Sequence, residues 1–139
     1  MRIVDVSYLN QFNELLRYVF QVTKKDLEIG GYKQGELIRS KRPILKDAYV
    51  LGWFDQERLV SQLAIYPMKV NIHNVMYDMG GLTGVGTYPE YSNIGLMHDL
   101  LTEALSHMRH NGFPFYTLIA FLFTENKDLK SFQIKHISI

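Results

Sequence analysis

This sequence contains no cysteine, a single tryptophan and only four prolines. Without cysteine the chain cannot form disulfides, a thiolate metal site or a cysteine nucleophile. Its charges nearly cancel, with a net charge of +1, so no strong attraction to nucleic acid or to a membrane surface is expected. It also lacks an apolar run long enough for a membrane span or a secretory leader. These absences predict a cytoplasmic globular protein that binds neither nucleic acid nor membrane.

The composition of the 139 residues, 47% hydrophobic and 21% charged, fits one domain with a buried core. Residues 3–6 are predicted as a short strand, and Ser7 as the N-cap of the helix that follows. Apolar residues at helical spacing predict that this helix packs one face on the core. They are Leu9, Phe12, Leu16, Val19 and Phe20. Residues 24–46 are polar, basic and broken by glycine, with a weak helix predicted over residues 35–41.

The middle of the chain alternates apolar runs with turn residues, which predicts an antiparallel meander. The predicted strands cover residues 48–54, 59–66, 68–72 and 75–87. The first two are joined by the polar turn at residues 55–58, and Pro67 is predicted to break the second strand from the third. The pair His73-Asn74 predicts the last turn of the meander.

The last predicted strand is rich in glycine and leads into a helix that also begins with glycine. Its glycines are Gly80, Gly81, Gly84 and Gly86. Missing side chains weaken a strand and usually mark a bulge or the close approach of a ligand. Pro89 ends the strand, and Gly95 opens the helix, where free backbone N–H groups attract phosphate. This arrangement suits a long phosphorylated cofactor such as coenzyme A.

The helix after Gly95 has a clear apolar stripe and a clear end. The stripe consists of Leu96, Leu100, Leu101, Ala104 and Met108. Asn111-Gly112 predicts the end of the helix. The carboxylates of Asp99 and Glu103 are predicted to face water, so we do not expect them to act as an acid/base pair. His98, His107 and His110 of this helix do not combine a shared face at ligand spacing with a third donor, and no metal site is expected.

A family resemblance lies in the run Gly84-Val85-Gly86-Thr87-Tyr88-Pro89-Glu90-Tyr91-Ser92-Asn93-Ile94-Gly95-Leu96-Met97. It resembles the strand and pyrophosphate loop of GNAT-type N-acetyltransferases. Within them it is similar to the enhanced-intracellular-survival-like branch, whose members tend to read V-x-T-x-P-x-Y-R-R-x-G-I/L-M/A/G. The general loop reads R/Q-x-x-G-x-G/A. This sequence has Ser92 where Arg or Gln is usual and Met97 where Gly or Ala is usual, so a charge-assisted contact to the pyrophosphate is absent.

The resemblance implies an α/β (α+β) fold: a GNAT-like mixed, mostly antiparallel twisted sheet flanked by helices, with its C-terminal part incomplete. It also implies acetyl-CoA as cosubstrate and a primary amine as acceptor, in direct attack within a ternary complex. The implied cofactor-binding residues are Val85, Gly86, Thr87, Ser92, Asn93, Ile94, Gly95, Leu96 and Met97. A backbone N–H near Val85 would polarise the thioester carbonyl. The family assembles into homo-oligomers, and its first helix borders the acceptor site, so Phe12 or Phe20 could line that site here.

No catalytic residue is assigned by the sequence. Candidates for the general base are Glu36, His73 and Glu90, none of which stands out. The family's usual tyrosine proton donor lies in a later P-F-Y-R-K-x-G-W/F-E segment, which residues 113–139 do not match. The acceptor itself stays open, with aminoglycosides and lysine side chains as family possibilities.

The tail has an unexpected relation to that missing segment. Read one base earlier, the codons of residues 113–132 permit I-S-F-L-Y-P-Y-S-I-P-F-Y-R-K-Q-G-F-E-I-I. We therefore expect residues 1–112 to be a partial GNAT-like domain and residues 113–139 an aberrant tail, produced by a single-base frameshift near Gly112. A genuine divergent tail with a chance match is the alternative.

Two other functions remain open at this stage. The chain could be a catalytically inactive truncated fragment that binds coenzyme A weakly or only associates with itself. Acetyl-CoA titration separates this alternative from the enzyme. A general nucleotide site at Gly95 is a weaker hypothesis, because the G-x-G-x-x-G spacing and the βαβ context expected for it are absent.

Overall fold

The computed structural model describes residues 1–29, 31 and 45–118. The helices and strands with defined ends are β1 (Arg2–Ile3), α1 (Leu9–Val19), α2 (Lys24–Ile29), β2 (Tyr49–Asp55), β3 (Arg58–Ile72), β4 (Val75–Thr87), α3 (Leu96–His110) and β5 (Phe115–Leu118). Short 3₁₀ turns cover Val6–Tyr8 and Pro89–Tyr91. The weak helix predicted over residues 35–41 lies outside the described residues.

The strands form one sheet in the order β1-β2-β3-β4-β5. β1 to β4 pair antiparallel, and β5 pairs parallel with β4, from Met79 opposite Phe115 to Leu82 opposite Leu118. This confirms the mixed, mostly antiparallel sheet flanked by helices. Within the described ranges, no helix is both long enough and apolar enough to cross a bilayer.

The hairpin between β3 and β4 shows one prediction that is confirmed and one that is wrong. His73 and Asn74 form its turn with φ of 49° and 64°, the left-handed pair that a tight two-residue hairpin requires. Pro67, however, does not break the strand, since β3 continues from Arg58 to Ile72. Pro67 lies beyond Ile65, the last β3 residue paired with β2, so β3 has only β4 as a described neighbour there. A strand tolerates the missing N–H of a proline at such an edge.

A bulge interrupts the pairing of β3 with β4 close to the end of β4. Ala64 lies opposite Thr83 and Gln62 opposite Gly86, so β4 carries one extra residue between these pairs. Gly84 within the bulge has φ of +62°, and a Cβ there would lie 2.9 Å from the Phe12 ring. Both its backbone conformation and its contact with α1 therefore require glycine.

The N-terminal helices begin differently from the prediction. The N–H of Ser7 donates to Asp5 Oδ1 at 2.8 Å, so Asp5 and not Ser7 is the N-cap, and it caps a 3₁₀ turn ahead of α1. The hydroxyl of Ser7 donates to the same oxygen of Asp5. The hydrogen bond from the hydroxyl lowers the pKa of Asp5 most, and the bond from the N–H lowers it further. At α2 the N–H of Thr23 donates to Asp26 Oδ2 at 2.8 Å, and the N–H of Asp26 donates back to Thr23 Oγ1 at 3.2 Å, a reciprocal cap.

α1 covers one face of the sheet. Phe12 and Leu16 are buried there as predicted, and Leu15 is also fully buried. Phe20 was expected on the same face but is 46% exposed, because the helix ends at Val19 and Phe20 is its C-cap. The other core residues of this face are Val4, Leu45, Val50, Leu59 and Ala64.

α3 covers the opposite face of the sheet. Leu100, Ala104 and Met108 are buried as predicted and pack against Leu51, Leu63, Ile65 and Leu82. Leu101 was expected in this stripe but is 38% exposed, because the buried positions follow an i, i+4 row. At the C-terminal end of α3, the Met108 thioether sits over Gly80 of β4, where any side chain would collide with it. Glycine at this position sets how closely α3 approaches the sheet.

Candidate functional site

In the described part of the chain, the second half of β4 is paired along one edge only. β5 pairs with Met79 to Leu82, so in the described part of the chain residues 83–87 have β3 on one side and no strand on the other. Val85 packs toward the α3 core, and Gly86 is buried against Val19 of α1, where a Cβ would lie 3.1 Å from Val19 Cγ2. The hydroxyl of Thr87 lies 2.7 Å from Ser61 Oγ. These contacts hold the strand in place while its outer edge is available to an extended ligand.

A short loop joins β4 to α3. The N–H of Ser92 donates to the Pro89 carbonyl at 3.1 Å, which closes the 3₁₀ turn. Asn93 and Gly95 then take left-handed conformations, with φ of 61° and 90°. Ile94 is 65% exposed, and nothing lies within 4 Å of the position that a Cβ would occupy on Gly95. The loop is therefore open to solvent immediately in front of the helix.

The first amides of α3 face this open space. The N–H of Asp99 is the first to bond within the helix, to the Gly95 carbonyl at 3.0 Å. The N–H groups of residues 95–98 make no hydrogen bond with the described part of the chain. The side chains of Leu96 and Met97 are half-buried, and Met97 packs against the α3 core. Side chains thus fix the helix start while its amides, at the positive end of the helix dipole, remain available to an anion.

An open groove of about 780 Å³ lies beside the end of β4. It is lined by Glu14, Arg17, Tyr18 and Val19 of α1, by residues 21–23 after the helix, and by Thr87 and Pro89. Because Thr87 belongs both to this groove and to the free edge of β4, the two features meet at one point. The Tyr88 ring packs on Tyr18 at 5.3 Å, and burial followed by the charge of Glu14 raises the pKa of Tyr88.

A comparison of the whole sequence with protein families shows which family the chain belongs to. A family model described as an acetyltransferase (GNAT) domain matches residues 1–126. The chain belongs to the GNAT acetyltransferase family. No protein of curated function matches this GNAT sequence.

Solved structures share this GNAT fold. A conserved protein of unknown function from Enterococcus faecalis V583 superposes with a TM-score of 0.69 at 24% identity, over 86% of this chain and 28% of its own. A GCN5-related N-acetyltransferase from Ralstonia eutropha JMP134 superposes with a TM-score of 0.68 at 13% identity, over 86% of this chain and 81% of its own. A predicted acetyltransferase from Clostridium acetobutylicum, solved with acetyl-CoA, superposes with a TM-score of 0.63 at 16% identity, over 86% of this chain and 79% of its own. The chain spans less than a third of the Enterococcus protein that it matches.

Residues predicted from sequence to serve the chemistry are scattered over this GNAT domain. His73 lies in the turn at the far end of β4, on the order of 40 Å along the strand from Thr87. Glu90 is exposed and bonded to Arg58 at 3.1 Å. Glu36 lies outside the described residues. Phe12 is fully buried and Phe20 lies outside the groove, so neither lines it.

The sequence analysis missed the groove residues of α1. Glu14 and Arg17 lie between the apolar positions of the helix, where the sequence pattern alone indicates a solvent-facing polar side. The signal that could have found them is their opposite charge at i, i+3 on a helix that packs against the glycine-rich strand. That helix contacts Gly84 and Gly86 through Phe12 and Val19, which places its polar side next to the end of β4.

Proposed function

We propose that this chain transfers an acetyl group from acetyl-CoA to a primary amine. The observation that carries the proposal is the cluster of free amides at the start of α3, with open space around Gly95. A pyrophosphate is the ligand that such a helix start favours, through N–H donors and the helix dipole. The free edge of β4 leads directly to it, which suits a cofactor with a long arm between its diphosphate and its thioester.

The proposed cofactor site follows the chain from β4 into α3. Backbone groups of Val85, Gly86 and Thr87 pair with the amide-containing arm as an added strand would. The backbone amides of residues 92–97, namely Ser92, Asn93, Ile94, Gly95, Leu96 and Met97, surround the pyrophosphate. The bulge at Gly84 redirects the backbone near Val85, and a backbone N–H there polarises the thioester carbonyl as negative charge develops on its oxygen.

The groove beside Thr87 is the proposed acceptor site. There the amine nitrogen forms a bond to the acetyl carbonyl carbon while the carbon–sulfur bond breaks. An ammonium acceptor loses two protons overall, of which one is taken up by the departing thiolate and one is released. Among the three base candidates, the position of His73 excludes it from this groove. No other residue is assigned as base.

The enhanced-intracellular-survival-like branch is the proposed subfamily. The run from Gly84 to Met97 supports it, as does the similarity to a much longer Enterococcus chain. The cytoplasmic location and the homo-oligomeric state that the sequence suggested belong to the same proposal.

The frameshift near Gly112 also stays a prediction. The family match continues past Gly112 to residue 126, and residues 115–118 pair with β4. Sequencing the coding DNA tests the hypothesis directly. An earlier frame that is open across the codons of residues 113–132 is expected, and stop codons in that frame would contradict it.

Titration of the full chain with acetyl-CoA, followed by a turnover assay with simple primary amines, tests the main proposal. We expect saturable binding and release of free thiol that depends on the amine. Saturable binding without turnover on any amine would favour the inactive fragment. Absence of binding would refute the cofactor site itself.

Replacing Ser92 with arginine is expected to tighten acetyl-CoA binding. The change restores the side chain usual in the family, and one added charge-assisted hydrogen bond is worth roughly 1.5 kcal/mol, or about tenfold in Kd. Ser92→Met is the matched control, since methionine has similar length without donors. Isothermal titration of the three proteins measures the effect, and equal affinities would show that the pyrophosphate does not approach position 92.

A further inference from the structure

Two opposite charges line the acceptor groove without an ion-pair partner in the described part of the chain. They are Glu14 and Arg17, one turn apart on α1. Residues three apart on a helix have Cβ atoms about 5–6 Å apart, close enough to pair. Yet the described ion pairs include neither of them. Both charges are therefore available to a ligand in the groove.

Arg17 differs from other arginines of the domain. Arg2 pairs with Glu57 at 3.3 Å and Arg58 pairs with Glu90 at 3.1 Å, both at the surface. Arg17 is half-buried, and its Nε is inaccessible and has no hydrogen-bond partner among the described residues. A buried donor without a partner costs about 1–3 kcal/mol, so placing Arg17 in the groove wall lowers the stability of the fold. The other guanidinium nitrogens of Arg17 are not among these inaccessible atoms, and a carboxylate in the groove would pair with their N–H groups.

The remaining walls suit an apolar group of moderate size. Tyr18, Val19 and Val22 contribute aromatic and aliphatic surface to the groove. Its volume of about 780 Å³ lies within the range of small-molecule pockets. A ligand that complements the acidic, the basic and the apolar part of this groove carries an ammonium, a carboxylate and an apolar side chain.

We propose that the acceptor is a free amino acid with an apolar side chain, its carboxylate held by Arg17 and its ammonium attracted by Glu14. The inference rests on the proposed function and narrows its acceptor. The amino acid's nitrogen takes the acetyl group and loses two protons, one to the departing thiolate and one to solvent. The product is an N-acetyl amino acid whose carboxylate is unchanged.

Binding of three matched probes to the full chain tests this inference by amide chemical shifts. Phenylalanine carries both charges, phenethylamine only the ammonium, and 3-phenylpropionate only the carboxylate. We expect phenylalanine to change the chemical shifts of the groove amides. We also expect it to bind roughly tenfold or more tightly than either analogue, because each analogue loses one charge contact. Equal binding of phenylalanine and phenethylamine, or no binding of phenylalanine, would overturn the inference.

Variants identify which charge acts on which end of the probe. Arg17→Gln is expected to weaken the binding of phenylalanine roughly tenfold and to change the affinity for phenethylamine by no more than about twofold. Glu14→Gln is expected to weaken the binding of phenylalanine by a similar factor and to leave the affinity for 3-phenylpropionate unchanged. Arg109→Gln, at an exposed position on α3, is the control for loss of one positive charge. An Arg17→Gln effect equal for all three probes would reflect altered packing and would also overturn the inference.

The same samples distinguish this inference from the proposed function. Coenzyme A added without an amino acid is expected to shift the amides of residues 93–98. If coenzyme A shifts them and phenylalanine does not bind, only the choice of acceptor is wrong. If coenzyme A shifts nothing, the proposed function fails.

Discussion

Replacing Gly95 with glutamate is expected to weaken acetyl-CoA binding by roughly 100-fold, because it adds both a side chain and a negative charge to an anion site at a helix N-terminus. Gly95 precedes α3, and nothing lies within 4 Å of its Cβ position, so the new side chain begins in open space. The carboxylate reaches the region proposed for the pyrophosphate. Isothermal titration with acetyl-CoA measures the loss of affinity.

Gly95→Gln separates charge from conformation. Both variants place a side chain of the same length on a backbone with φ of +90°, and both lose about 1–2 kcal/mol of stability for that conformation. We expect the glutamine variant to bind acetyl-CoA roughly tenfold more tightly than the glutamate variant, which corresponds to about 1.4 kcal/mol. Equal affinities would mean that no phosphate approaches the start of α3.

Replacing Gly84 with valine is expected to destabilise the fold by about 3–5 kcal/mol, the sum of backbone strain and overpacking. Gly84 has φ of +62°, and its Cβ position is 2.9 Å from the buried Phe12 ring. A β-branched side chain relieves neither problem without moving α1 or flattening the bulge. Since small domains have about 5–15 kcal/mol of stability, this loss is a large fraction of the total.

Gly112→Val is the matched control for that experiment. Gly112 has a similar φ of +70°, but nothing lies within 4 Å of its Cβ position. Its free energy of unfolding should fall by the strain alone, about 1–3 kcal/mol. Chemical denaturation of both variants gives the difference. Equal losses would show that the fold accommodates the valine side chain beside Phe12 without overpacking.

Most of the fold could be predicted from the sequence because its signals are local. Alternation predicted the meander, His73-Asn74 predicted its turn, and the stripe after Gly95 predicted a helix that buries Leu100 and Met108. Continuation of β3 through Pro67 was not predictable, because it depends on where the neighbouring strand β2 stops. Propensity describes one strand at a time and carries no information on its neighbours.

One part of the candidate site could be predicted from the sequence, and the other part depends on tertiary packing. The loop proposed to bind the cofactor lies in one continuous run, and that run carried the family resemblance. The groove depends on the packing of α1 against the bulge, where Phe12 meets Gly84 and Val19 meets Gly86. These contacts join residues about seventy positions apart in the chain, so the role of Glu14 and Arg17 emerges only once the helix is placed.

The close fit of Met108 over Gly80 has a consequence for affinity. Leu96 and Met108 lie at opposite ends of α3, about 18 Å apart at 1.5 Å per residue. An α-helix is stiff over this length, so a tilt of roughly 5° about the Met108 contact would displace its N-terminal amides by about 1.5 Å. Displacements of this size are enough to misalign hydrogen bonds to a ligand. Substitutions at Gly80 are therefore expected to change the affinity for the proposed cofactor without altering any residue of its proposed site.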